Sequence, residues 1–297
     1  MIPVLNWVKG KLRGMVFERS RLGVEQNRFI LYELKRINES LRYHLLCDRN
    51  LRGVDQLQMQ TRSSFDYQWA DFHAGVAMSD DQVFMSQIQR QICNMTDLPA
   101  EWFSGKVVAD VGCGAGRFTY GLLSMGALVT ACDQSESGLR QTSELCREFS
   151  DRLLTKRIDL LEWQEIECFD LVFCFGVVHH TGNTYLAIKN VAQKVKSGGR
   201  LFMMVYGFPE TLPDFIEVNS YEELRQKVRE LSLEARRRFL VEQFGPRLAH
   251  GWFDAVSPSI NDLLSFGEVA TLLRSLGFHG IKRTMSGRNH HLVADKM

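Results

Sequence analysis

Apolar and polar positions follow two alternating rhythms along most of this chain. Short apolar runs near 106–111, 128–133, 155–159, 169–175 and 200–206 are bounded by glycine and polar residues, as buried strands are. Between them, stretches near 83–95, 116–125, 135–149 and 183–196 carry apolar residues three or four apart and predict helices. Ser197, Gly198 and Gly199 are placed to end the last of these helices as a glycine cap. This alternation predicts a parallel sheet covered on both faces. The rhythm stops after Pro209. Residues 210–262 read as an insertion, with a charged helical stretch over 221–244 and then a loop over 251–258 that exposes aromatics. A helix over 266–276 is stopped by Gly277, and short strands near 278–285 and 290–295 follow. There is no internal repeat and no low-complexity linker.

The N-terminal part has a different pattern. Leu5, Val8, Leu12, Met15 and Val16 share one helical face, flanked by Lys9, Lys11 and Arg13. Residues 1–50 hold ten Lys/Arg and five Asp/Glu, in a chain whose net charge is only +1. A basic amphipathic helix of this kind suits peripheral contact with the inner, anionic face of a membrane, or packing on the core or a second subunit. Ile30, Leu34, Ile37, Leu41 and Leu45 form another stripe, suited to a homodimer contact or a lid. Residues 61–75 are rich in aromatics and poor in periodicity. Tyr67, Gln68, Trp69 and Phe72 there are candidates for closing a site, or for ordinary packing. The chain thus divides into a helical extension at 1–80, a core at 81–209, the insertion at 210–262 and a closing helix and hairpin at 263–297.

The most specific signal is the run from Val107 to Phe118. A strand pattern ending at Asp110 and Val111 enters Gly112, Cys113, Gly114, Ala115 and Gly116, and a helix opens at Phe118. Glycines so placed let the backbone turn sharply and bring a ligand against bare amides at a helix start. Asp133 ends the next apolar run, where a carboxylate can accept both hydroxyls of a ribose. The pattern implies an adenosine-bearing cofactor. The Gly-x-Gly-x-Gly spacing differs from the Gly-x-Gly-x-x-Gly of dinucleotide folds.

Asp110 to Phe118 resembles the first motif of class I S-adenosylmethionine-dependent methyltransferases. The resemblance continues in order through Asp133, through 157–160 (Arg-Ile-Asp-Leu), through 169–180 and through the turn at 195–202, covering roughly 105–207. It implies a Rossmann-like methyltransferase fold: an α/β, mostly parallel seven-stranded sheet with an antiparallel last strand, here with an N-terminal helical segment and a helical insertion. It implies S-adenosylmethionine as cofactor, and no metal. By the same resemblance Gly112, Cys113, Gly114 and Gly116 crowd the methionine and ribose parts, and Asp110 orients their loop. Asp133 takes the ribose hydroxyls, Gln134 lies beside the adenine, and Asp159 and Leu160 frame it. Phe175, Tyr67 and Trp69 complete the cofactor site.

His179 and His180 directly follow the fourth strand. An imidazole titrates near neutral pH, which suits a general base. One of the pair is expected to face the cleft, with His180 favoured, either as base or as packing against the cofactor. His290 and His291 fall on opposite faces of the last strand, where Arg288, Asn289 and His290 either reach the pocket or lie in a solvated hairpin. Tyr206 is a further candidate.

The remaining composition narrows the classes. Balanced charge gives no polyanion signature. The fourth motif lacks the Asp/Asn-Pro-Pro-aromatic sequence of enzymes acting on nucleobase amino groups, and no Pro-Cys pair occurs, so nucleic acid is not the expected substrate. Seven cysteines without metal spacing read as reduced thiols of a cytoplasmic protein. The expected function is methyl transfer, preferably to oxygen, on a small molecule, glycan or lipid-linked metabolite. The alternatives are a non-catalytic methyltransferase-like binding subunit and a NAD-dependent oxidoreductase.

Overall fold

The computed structural model describes residues 54–71, 82–164 and 169–297. The stripes expected before residue 50, and Phe72, lie outside the described residues. Seven strands form one sheet: β1 (Val107–Val111), β2 (Leu128–Asp133), β3 (Leu153–Arg157), β4 (Phe169–Phe175), β5 (Val195–Val205), β6 (Phe278–Arg283) and β7 (His290–Lys296). Their order is β3-β2-β1-β4-β5-β7-β6. β1 to β5 pair in parallel, and β7 runs antiparallel to both β5 and β6. This is the Rossmann-like sheet anticipated from the alternation, with its antiparallel last strand. The strand order reverses between β1 and β4, where an open α/β sheet leaves a crevice at its carboxyl ends.

Nine α-helices are described: α1 (Val54–Asp71), α2 (Gln82–Thr96), α3 (Arg117–Ser124), α4 (Glu136–Leu145), α5 (Thr184–Gln193), α6 (Leu212–Val228), α7 (Leu233–Phe244), α8 (Pro246–Val256) and α9 (Phe266–Ser275). Ile88 and Ile92 of α2 and Leu122 and Leu123 of α3 cover Leu171, Phe173 and Phe202 on one face of the sheet. Ile188 and Val191 of α5 and Val269 and Leu273 of α9 cover Val172, Leu201 and Met203 on the other. Neighbouring residues of one strand point to opposite faces, and here both faces are dry. That is why β4 and β5 read as unbroken apolar runs.

Three local expectations are corrected. The run Ser197-Gly198-Gly199 does not cap a helix, because α5 ends at Gln193 and Lys194 closes it in right-handed backbone. The run instead lies in an irregularity of β5, whose pairing steps from Phe169↔Val195 to Leu171↔Arg200. The helical stretch expected over 221–244 is two helices. A Thr211–Asp214 capping box starts the first, ten residues before the expected start, and Ser232 caps the second. The expected loop at 251–258 is mostly helix α8, begun by Pro246 at its first turn. Its Trp252 and Phe253 are buried with Val228 and Leu240 in a small core of the insertion's own. Gly251 lowers helix propensity by about 1 kcal/mol, which the burial of two aromatics outweighs. Within the helical extension expected at 1–80, the aromatic-rich stretch is helical as far as residue 71. Residues 54–71 are helix α1, and its buried positions are the polar Thr61, Ser64 and Gln68. A polar stripe gives no hydrophobic rhythm, so the helix was invisible to that test.

Candidate active site

The turn after β1 is built by three glycines in left-handed backbone, with φ of +74° at Gly112, +53° at Gly114 and +87° at Gly116. Space is a second constraint on all three, and a Cβ on Gly116 would lie 2.9 Å from Cα of Thr142. A Cβ on Gly112 would lie 2.2 Å from Cγ2 of Val177, and one on Gly114 would lie 2.5 Å from the Trp69 ring. The turn therefore nests between the residues after β4 and helix α1. Its Gly114 N–H donates to Oδ2 of Asp133 (2.8 Å), and the Ser135 N–H donates to Oδ1 (2.8 Å). Those two bonds fix the plane of the Asp133 carboxylate. Burial raises its pKa, and the two N–H donors pull it back. Asp110 lies beneath the turn, 2% exposed, and accepts from the Thr119 hydroxyl at 2.6 Å. Burial lifts its pKa to about 7 against that hydrogen bond.

A cavity of about 350 Å³ opens above the carboxyl ends of β1 to β5, within the range of small-ligand sites. Of the residues expected to hold a cofactor, Gly112 and Cys113 line it from the turn, and Asp133 and Gln134 from the end of β2. Asp159 and Leu160 line it from beyond β3, Phe175 from β4 and Trp69 from α1. β3 ends at Arg157, two residues earlier than expected, which leaves Asp159 on a loop. There its Oδ1 accepts from the Leu161 N–H (2.9 Å), and Oδ2 is paired with Arg62 of α1. Asp110, Gly114 and Gly116 lie outside the lining, supporting the turn from behind. Tyr67 lies elsewhere as well: its ring packs on Phe253 of α8, with centroids 5.7 Å apart.

The two histidines separate. His180 lines the cavity. Its Nδ1 donates to the Ile260 carbonyl oxygen at 2.7 Å. A carbonyl only accepts, so this bond selects the Nδ1–H tautomer and leaves the lone pair on Nε2. Nε2 is shielded from solvent and has no hydrogen-bond partner among the described residues. Burial pushes the His180 pKa down to about 4, the Ile260 bond opposing it. His179 lies outside the lining, fully buried, with its ring centroid 3.9 Å from that of Tyr206. Burial holds it well below the usual imidazole range. The solvated hairpin expected near His290 is corrected too. His290 is fully buried and its Nε2–H donates to the Leu264 carbonyl at 2.9 Å, while Asn289 and Arg288 bond the backbone of Gly207. They brace β5 and β7 and do not line the cavity.

Several lining residues were not singled out from the sequence. Arg117 at the start of α3, Met204 of β5, and His250 and Asp254 of α8 all face the cavity. His250 and Asp254 are four apart on one helix, a spacing that became readable only once 246–256 was known to be helical. Burial lifts the Asp254 pKa to about 6, against the pull of Arg117, and pushes His250 down to about 4. Among the described residues, no group of three or more His, Cys, Asp or Glu side chains is placed to hold a metal ion.

Residues 109–203 match the family described as a methyltransferase domain, which spans β1 to most of β5 and the turn just described. Residues 109–203 of the chain form a methyltransferase domain. Among curated relatives, it is 33% identical to the ubiquinone biosynthesis O-methyltransferase of Coxiella burnetii (strain Dugway 5J108-111) over 100 residues, covering 33% of this chain and 42% of that protein. It is 28% identical to the mitochondrial ubiquinone biosynthesis O-methyltransferase of Rattus norvegicus over 159 residues, covering 50% of this chain and 46% of that one. The chain spans less than half the length of these two curated relatives. Among solved structures, an O-methyltransferase family protein from Burkholderia thailandensis matches with a TM-score of 0.51 at 16% identity, over 91% of this chain and 71% of that one. That likeness concerns the methyltransferase fold.

Proposed function

We propose that this chain uses S-adenosylmethionine to methylate a hydroxyl group of a small molecule, glycan or lipid-linked metabolite. The observation that carries the reading is a single cavity. It joins the glycine turn and the acidic ends of β2 and β3 to a histidine whose unprotonated nitrogen is selected by a backbone carbonyl. The cofactor fits the residues present. Asp133, held in one plane by two backbone N–H groups, keeps lone pairs for the ribose hydroxyls. Gln134 and Leu160 would flank the adenine, and Gly112 and Cys113 would run beside the methionine part. Trp69 lies over the turn and closes it. Bound there, S-adenosylmethionine supplies an electrophilic methyl group.

The remaining work is alignment and proton removal. His180 holds one orientation through Ile260, and its covered Nε2 receives the hydroxyl proton once the bound acceptor displaces the neighbouring ring. Its lowered pKa keeps it unprotonated at neutral pH, although a weak base needs a close contact to act. The O-methyltransferase names of the curated relatives support oxygen as the nucleophile. Calorimetric titration with S-adenosylmethionine, S-adenosylhomocysteine and NAD tests the reading. Binding of the first two and not of NAD is expected. Binding of NAD in their place overturns it.

A further inference from the structure

Arg117 and Asp254 reach the cavity from opposite parts of the molecule. Arg117 is the first residue of α3, directly after the glycine turn, and Asp254 lies on α8 of the insertion. The Arg117 guanidinium is stacked 4.3 Å over the Phe118 ring, with the Phe175 ring at 5.8 Å. Both residues are half-buried against the cavity, and each is the leading charged neighbour of the other. Yet among the described residues neither makes a hydrogen bond, and they are not within ion-pair distance of each other. Buried charges are ordinarily paired or hydrogen-bonded, because desolvation without a partner is expensive. Here opposite charges face one cavity and are held apart, one by its aromatic platform and the other by the helix that carries it.

The chemistry of a group that fits between them is restricted. An anion at Arg117 brings like charge up to Asp254. A cation at Asp254 does the same to Arg117. A hydroxyl donates one hydrogen bond and accepts others, so it can serve the carboxylate and the guanidinium together. We infer that Arg117 and Asp254 form an acceptor-recognition pair that grips a hydroxyl, other than the one methylated, on an uncharged acceptor. This inference rests on the methyl-transfer reading above and names the acceptor class for the same site. Asp254 accepts from that hydroxyl, Arg117 donates to it, and the reacting hydroxyl is thereby turned toward His180. The pair therefore selects and positions the acceptor.

The test uses the protein loaded with S-adenosylhomocysteine and saturation-transfer NMR. Two scaffolds are compared, a methyl hexopyranoside and a dihydroxybenzene, each beside its matched carboxylic acid and its matched amine. Binding of at least one neutral form in preference to its charged partners is expected. Asp254→Asn and Arg117→Gln should each weaken that binding about tenfold or more, the loss of one hydrogen bond to a charged group. Thermal melting verifies that both variants fold, and titration verifies that they keep S-adenosylhomocysteine affinity. Preferred binding of an acid or an amine, no binding of either neutral scaffold, or loss of S-adenosylhomocysteine affinity in a folded variant overturns the pair. Failure of the wild-type chain to bind S-adenosylhomocysteine at all is a separate result, and it falls on the proposed function.

Discussion

Nδ1 of His180 and the carbonyl oxygen of Ile260 lie 2.7 Å apart, so a backbone group 80 residues away decides which imidazole nitrogen carries the lone pair. Ile260 is held in turn by α1, because its N–H donates to the Thr61 hydroxyl at 3.1 Å. Replacing His180 by alanine should lower turnover by roughly 10²–10⁴-fold, the usual range for a positioned base, while leaving S-adenosylhomocysteine affinity nearly intact. Steady-state kinetics beside calorimetry separate the two effects. Full activity in the variant would remove His180 from the chemistry.

The acid limb of turnover follows from the same residue. His180 is neutral above about pH 4 in the folded protein, whereas an exposed imidazole protonates near 6.5. Activity limited by this base should therefore persist through pH 6 and decline toward pH 4. A limb at 6.5 would show that a different, exposed histidine does the work. The same shift bears on stability. Above 6.5 His180 is neutral in both states. As pH falls through the window from 6.5 to 4 the unfolded chain takes up a proton first, so the folded state loses stability there.

Asp110 has the opposite sign. Its pKa is raised from 3.8 to about 7 in the folded protein. Its contribution is fully present below 3.8 and is lost as pH rises to about 7, where a desolvated carboxylate is forced to ionise. Asp110→Asn should therefore gain stability relative to wild type as pH rises from 5 to 8. Urea melts of both proteins at the two pH values check this. An identical pH dependence would show that Asp110 is already ionised at pH 5.

Gly114 offers a steric test. Alanine there meets the Trp69 ring at 2.5 Å in backbone with φ of +53°, so the ring has to leave. The expected outcome is a changed tryptophan emission together with weaker S-adenosylhomocysteine binding. Unchanged emission would mean that Trp69 does not rest on the turn in solution.

Asp133→Ala should weaken cofactor binding by about 1–3 kcal/mol through lost ribose hydrogen bonds. The alanine also frees the N–H groups of Gly114 and Ser135, so part of any loss is the turn's own disorder. Asp133→Asn keeps an acceptor for one of those donors and separates the contributions. Calorimetry on both variants, with thermal melts, checks the assignment. Unchanged affinity in the alanine variant would exclude Asp133 from the ribose site.

The core was legible because its physics is local. A strand buried on both faces has to be apolar throughout, and a glycine turn under a helix start has to be glycine, so residues 105–207 could be read directly. The elements that complete the cavity follow other rules. Helix α1 buries Thr61, Ser64 and Gln68, of which Thr61 bonds the distant Ile260 N–H and Gln68 the His250 ring, and no periodicity test detects that. Helix α8 contains Gly251 and was read as a loop, which hid the four-residue spacing of His250 and Asp254 on one helix. His179 and His180 are chemically identical in sequence. What divides them is the reach of Ile260 to one and the ring of Tyr206 against the other.

Gln58 donates to the Thr181 carbonyl, and Gln60 bonds Ser257 through its amide and Ser259 through its oxygen, so α1 stitches the end of the insertion to the turn after β4. Reactivity and selectivity are thereby inherited as one piece. A descendant that exchanges residues 210–264 for another segment takes on a new acceptor pocket and at the same stroke a new carbonyl, or none, to set the imidazole.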